Sequence, residues 1–218
     1  DLRHAKDEGE FARIIGARAR QYPGKWITGG DWDHDLWRSG RLPVKELIDS
    51  ATAGTPVFVS RYDGHMGLAN SLALKLAGIT KDTPDPPGGT IVKDPATGEP
   101  TGVLKDAAMD PIWPLIPDPT DGELLNAARA ALAEANRFGI TSIQDMSYAY
   151  GARDIATYEE LNRRGVLTAR MYCRSYISDW KSLADAGVHA GSGSELIRMG
   201  SVKGFADGSL GSSTALFF

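Results

Sequence analysis

The sequence predicts an α/β fold, either part of a (β/α)8 barrel or a small open sheet, on three observations. From Thr120 onward, helical and strand patterns alternate with short connections, the signature of a parallel sheet. Residues 79–120 differ in character and hold nine of the twelve prolines. The closing segment Gly200–Phe218 sets Lys203 in a short apolar run that opens into an acidic, Gly/Ser-rich loop, Ala206 to Ser213. A strand that ends in a reactive side chain and opens into such a loop is how α/β barrels present chemistry at one face.

The elements follow in order. Asp7 reads as an N-cap with Glu10 as its partner acid, and Phe11, Ile14, Ile15 and Ala19 recur at helical spacing. Lys25–Gly30 is a strand candidate leading to Asp31-Trp-Asp-His34. Pro43 suits a first helical position, with Val44, Leu47, Ile48 and Ala51 on one face and Gly54 as the stop. Pro56–Ser60 reads as a buried strand and Asn70–Gly78 as a helix carrying Leu72, Leu76 and Ala77. Thr90–Val92 and Gly102–Leu104 flank Asp94-Pro-Ala-Thr-Gly98, a hairpin within an inserted Pro/Gly-rich subdomain.

Thr120-Asp-Gly-Glu123 is a capping box that starts a helix running to Gly139. Strand 140–146, helix 155–164, strand 167–177, helix 178–186 and strand 197–205 then alternate. These strands give three βα units where a closed barrel has eight. The expected organisation is 1–54 as a helical lead-in with the first strand region, 55–119 as the insertion, and 120–218 as the βα units.

Composition excludes several classes. A net charge of −4 with no Lys/Arg run argues against nucleic-acid partners. A single cysteine, Cys173, in an alternating strand reads as core and rules out a disulfide framework or a Cys-based zinc site. No stretch approaches the ~20 apolar residues of a membrane span and no signal peptide is seen. The expectation is a cytoplasmic protein without membrane partners. Asp1 stands where a lead-in to a helix begins, so the chain is expected to be a piece of something longer.

Few residues carry chemistry. His65, in Ser60-Arg-Tyr-Asp-Gly-His65-Met-Gly, can act as a base, an oxyanion donor or a metal ligand; the bland alternative is a ring bonded to Asp63 within the turn. Asp31, Asp33 and His34 suggest a ligand cluster or carboxylate pair, but a solvated loop capping the next turn explains them better. Asp145 ends a strand at the reactive face of a barrel, and equally could cap a helix or pair with an arginine. Lys203, if desolvated, would be a neutral amine able to add carbon dioxide and hold metals as a carbamate; most lysines at strand ends simply reach solvent. The four histidines, His4, His34, His65 and His189, form no His-x-His or His-Glu-x-x-His pattern. No G-x-S-x-G elbow, P-loop or G-x-G-x-x-G is present.

An ordered set of segments resembles the amidohydrolase superfamily, in its amidohydrolase-3 or YtcJ-like branch. The set runs Trp26-Ile-Thr-Gly-Gly-Asp-Trp32, Gly40-Arg-Leu-Pro43, Asp63-Gly-His65, Asn70-Ser-Leu-Ala-Leu74, Ala77-Gly-Ile79 and Pro86–Ile91. It continues with Gly98-Glu-Pro-Thr-Gly102, Gly139-Ile-Thr141 with Asp145, and Val202–Gly211. The resemblance implies a metal-dependent (β/α)8, or TIM-barrel, hydrolase, with zinc the expected metal and a small molecule with an amide-type C–N bond the substrate. Lys203 matches the family's bridging, carbamylated lysine. His65 and Asp63 match an insertion motif at the active-site mouth and become substrate contacts, while Asp145, Asp207 and Ser209 are pocket residues by position.

The His-x-His strand and the later histidine and aspartate ligands have no counterpart in the sequence. The chain is therefore expected to be a fragment, holding strands two to four, that turns over nothing alone and self-associates through exposed barrel edges. Two rivals stand beside this reading. One is a carboxylate hydrolase using Asp31, Asp33 or Asp145; the other is a non-catalytic module that keeps the fold but binds a ligand or partner.

Overall fold

The computed structural model describes residues 1–146, 152–211 and 213–216, so Ser212 of the predicted loop lies outside the described residues. The chain divides into two compact units, one formed by residues 1–117 with 207–218, the other by residues 118–206.

In the first unit the opening helix α1 (Glu8–Gln21) starts where Asp7 accepts a hydrogen bond from the Glu10 amide at 2.7 Å. It is followed by β1 (Ile27–Trp32), the short helix α2 (Glu46–Asp49), β2 (Val57–Arg61), β3 (Met66–Ala69) and α3 (Ser71–Leu76). The hairpin β4 (Gly89–Lys93) and β5 (Pro100–Asp106) comes next. The sheet order is β1-β2-β3-β5-β4, with β1 and β2 parallel and the remaining pairs antiparallel.

Alternation along β2 and β5 divides the core. Val57, Val59 and Val103 join Phe11, Ile15, Trp32 and Trp37 in one apolar cluster, while Phe58 and Leu104 join Leu74, Ile79, Met109 and Ile112 in another. Gly16 lets α1 approach the turn after α2, since a Cβ there would stand 2.8 Å from that of Ala51.

The second unit runs α4 (Asp121–Arg137), β6 (Ser142–Gln144), α5 (Ala152–Arg163), β7 (Arg170–Tyr176), α6 (Trp180–Asp185) and β8 (Ile197–Lys203). Its three strands form a parallel sheet in the order β6-β7-β8. Thr120 and Glu123 close both halves of the predicted capping box. Leu132, Leu161, Met171, Cys173 and Ile197 make its core, so Cys173 is a core residue as expected. The whole is a mixed α/β fold with parallel strand pairs. Among the described residues, no helix is long and apolar enough to cross a membrane.

Three local expectations change. The helix placed at Pro43 begins only at Glu46 and lasts one turn before a 3-10 turn takes over. The hairpin forms, and its strand β5 bonds β3 in the same sheet as β1 and β2. The segment after His65, expected to lead straight to a helix, first forms β3, buried along its whole length.

Candidate functional site

Strand β2 ends in Arg61, whose side chain is only 5% exposed. Its guanidinium donates to Asp33 at 2.8 Å, Asp35 at 2.6 Å and Asp63 at 2.8 Å. Its Nε stands 3.4 Å from the Nδ1 atom of His34. The planar fork of an arginine suits such convergent carboxylates, and charge pairing makes burial of the guanidinium tolerable. His34 is buried beside it, and burial lowers its proton affinity below the ordinary imidazole value. Asp33 caps the next turn as expected, through its 3.1 Å bond from the Asp35 amide, but the loop is not simply solvated because His34 is buried. Asp31 stands exposed in a left-handed backbone conformation, φ 57°, and does not share the cluster's bonds to Arg61.

Asp63 has further duties. Besides Arg61 it accepts the His65 backbone amide at 3.2 Å and the Ser209 hydroxyl at 2.6 Å. Gly211 completes the approach, for a Cβ there would stand 2.6 Å from an Arg61 nitrogen. Residues 207–211, which belong to the first unit, are thus anchored to the turn bearing His65. The turn alternative looks to Asp63 as the ring's partner; the His65 Nδ1 atom lies 2.7 Å from Asp106 Oδ1, at the end of β5. Asp207 accepts the Leu216 amide at 3.1 Å and so closes the loop on itself.

In the second unit Lys203 ends β8, half-buried, opposite Tyr176 of β7 in the strand register. Its ammonium lies 4.8 Å from the centroid of the Phe205 ring. Asp145, just past β6, accepts the Tyr158 hydroxyl at 2.6 Å. Burial first, and then this carboxylate, push the Tyr158 hydroxyl well above the ordinary tyrosine range.

Sequence reasoning singled out Asp63, His65, Asp145, Lys203, Asp207 and Ser209; the structure adds Arg61 on Asp63, Asp106 on His65 and Tyr158 on Asp145, none of which it had named. Asp106 stands 41 residues from the histidine it contacts, a separation that no local motif signals. Arg61 lies beside the motif, and the Asp-x-Asp spacing of Asp33 and Asp35 was the one cue to a shared cation.

Metal chemistry can be tested against these donors. Asp33, His34 and Asp35 each bring one ligand atom within 4.8 Å of the others. Both carboxylates, however, already receive the Arg61 guanidinium, whose charge opposes a metal ion in the same place. Lys203 is a single donor, whereas a structural or catalytic metal draws on about three or four protein ligands. The described residues do not by themselves fit a complete metal centre.

A model described as the amidohydrolase family matches residues 3–218. Protein LONG AFTER FAR-RED 3 of Arabidopsis thaliana is 38% identical over 229 residues, covering 100% of this chain and 39% of that protein. YtcJ of Bacillus subtilis (strain 168), named as an amidohydrolase, is 33% identical over 224 residues, 99% of this chain and 41% of its own length. N-substituted formamide deformylase of Arthrobacter pascens is 40% identical over 102 residues, 46% of this chain and 19% of that enzyme. A crystal structure of an uncharacterized metal-dependent hydrolase from Pyrococcus horikoshii OT3 superposes with a TM-score of 0.64 at 24% identity, covering 99% of this chain and 40% of the other. The chain spans about two fifths of the length of the first two relatives.

Proposed function

The chain belongs to the amidohydrolase family, and from that premise we propose that the full-length protein is a metal-dependent hydrolase cleaving an amide-type C–N bond of a small molecule. The observation that carries this reading is Lys203, at the carboxyl end of the last parallel strand, β8, where barrel enzymes keep their chemistry. In this reading β6, β7 and β8 with their helices are three consecutive units of a (β/α)8 barrel. The relative named N-substituted formamide deformylase supports a C–N bond as the target.

Lys203 acts as a carbamate. The amine would add carbon dioxide, forming an N–C bond as one C–O π bond opens and a proton leaves to solvent, and the carbamate oxygens would be donors for a divalent metal held with ligands from the rest of the full-length protein. The metal, zinc in this reading, would lower the pKa of a bound water. The remaining roles belong to side chains: His65 touches the substrate, with Asp63 and its bonded Ser209 as further substrate-binding residues. Asp145 and Asp207 serve as pocket-forming residues.

The test is hydrolysis of a panel of N-substituted formamides and acetamides by the full-length protein, with and without a chelator. Chelator-sensitive release of amine is expected. A protein that binds such amides yet releases no amine under any metal supply would favour the non-catalytic module instead.

A further inference from the structure

Asp106 is an aspartate in an unfavourable place. Its backbone has φ 44° and ψ −122°, a conformation natural to glycine and strained for a residue with a Cβ. It also occupies the position before a 3-10 turn, where an aspartate ordinarily caps the exposed amides, yet its side chain makes no capping bond. The carboxylate goes to His65 instead, at 2.7 Å from Nδ1. The two residues are locked a second time through the backbone, where the Asp106 amide donates to the His65 carbonyl at 3.1 Å. Both side chains are about four-fifths buried, at 20% and 22% exposure, in a setting where a charge-assisted hydrogen bond outweighs its counterpart in water.

We infer that Asp106 is a positioning residue for His65. It takes the Nδ1–H bond, fixes the ring's orientation and tautomer, and thereby makes Nε2 the atom that accepts from or donates to the substrate. The inference rests on the reading of His65 as a substrate contact. The backbone strain is the counterpart of the aim: a glycine would relax the turn but take the carboxylate away from Nδ1, and the foregone cap shows that the carboxylate is not there to stabilise the turn.

The experiment compares the full-length protein with its Asp106→Gly variant, isotope-labelled at histidine, using His65→Gln to assign the ring's nitrogen signals. The wild type should show the Nδ1–H tautomer, and the variant a mixture of the two tautomers. Thermal stability should be retained, because glycine adopts this conformation without strain. On 4-nitroformanilide, kcat should fall at least about tenfold with a smaller change in KM, and added acetate should restore part of it by entering the vacated space.

Should the glycine variant not fold, Asp106→Ala, which removes the side-chain acceptor altogether, carries the same comparison. A variant whose His65 keeps the Nδ1–H tautomer overturns the inference, as does wild-type kcat in a protein that turns the anilide over. Absence of turnover in the wild type would instead sink the hydrolase reading, and the tautomer comparison would still decide the role of Asp106.

Discussion

Arg61 carries a full charge to a position that is 5% exposed, and three carboxylates hold it there. Replacing it with methionine keeps much of the volume but leaves Asp33 and Asp63 short of a partner in partly buried surroundings. Loss of one partner from a buried ion pair costs about 3–5 kcal/mol. Because Asp35 is 62% exposed and rehydrates readily, the expected loss for Arg61→Met is nearer ~2 kcal/mol, measured by denaturant unfolding. Ser209→Ala removes one hydrogen bond to Asp63 and should cost about 1 kcal/mol. An arginine variant as stable as the wild type would mean that the cluster is merely a solvated group of acids.

At this scale the sequence was legible where chemistry lies close along the chain, as in Asp63-Gly-His65. It was opaque where the sheet made the contact. Asp106 reaches His65 because β3 and β5 are neighbours, with Met66 paired to Lys105, and a motif on one strand does not announce its partner on another.

Helices with strong local signals were readable, and one strand was not. Thr120 and Glu123 form the capping box their spacing predicts, so Thr120→Ala should lower the melting temperature modestly, by the equivalent of about 1 kcal/mol. Leu161, fully buried beneath the parallel sheet on α5, should cost more: Leu161→Ala is expected to lose about 2–5 kcal/mol. Equal losses at the two sites, measured in the same unfolding experiment, would contradict this ranking of cap against core.

Strand β3 escaped notice for physical reasons. Met66-Gly-Leu-Ala69 is four residues long, is buried on both faces and so shows no alternation, and contains a glycine that reads as a breaker. That glycine is a packing residue: a Cβ on Gly67 would stand 2.5 Å from the Phe58 ring, which fills the space instead. The short α2 was misplaced because Pro43 signals a helix start two residues before the backbone turns helical.

For the molecule as a whole, His34 links stability to pH. Burial first, and then the Arg61 charge, act to lower its pKa from the ordinary value of 6.5, with Lys105 acting the same way and Asp33 and Asp35 opposing. The unfolded chain therefore binds a proton more readily than the folded one. Stability from this source is complete above pH ~6.5 and declines as pH falls below it towards the lowered folded value. His34→Gln should flatten that decline in urea midpoints taken between pH ~7 and ~5, and an unchanged slope would remove His34 from the account.

The βα alternation of the second unit was legible because each helix carries its own cap or glycine stop. The role proposed for Lys203 comes only through the resemblance, since one lysine at a strand end is commonplace. Family membership and the position of Lys203 at the end of β8 support the proposal that centres on that lysine. The most direct measurement is the metal content of the full-length protein beside its Lys203→Ala variant, both prepared with zinc and bicarbonate and freed of loosely held ions. The account predicts bound divalent metal in the wild type and a large loss of it in the folded variant. Equal metal in the two proteins, or none in the wild type, would contradict it.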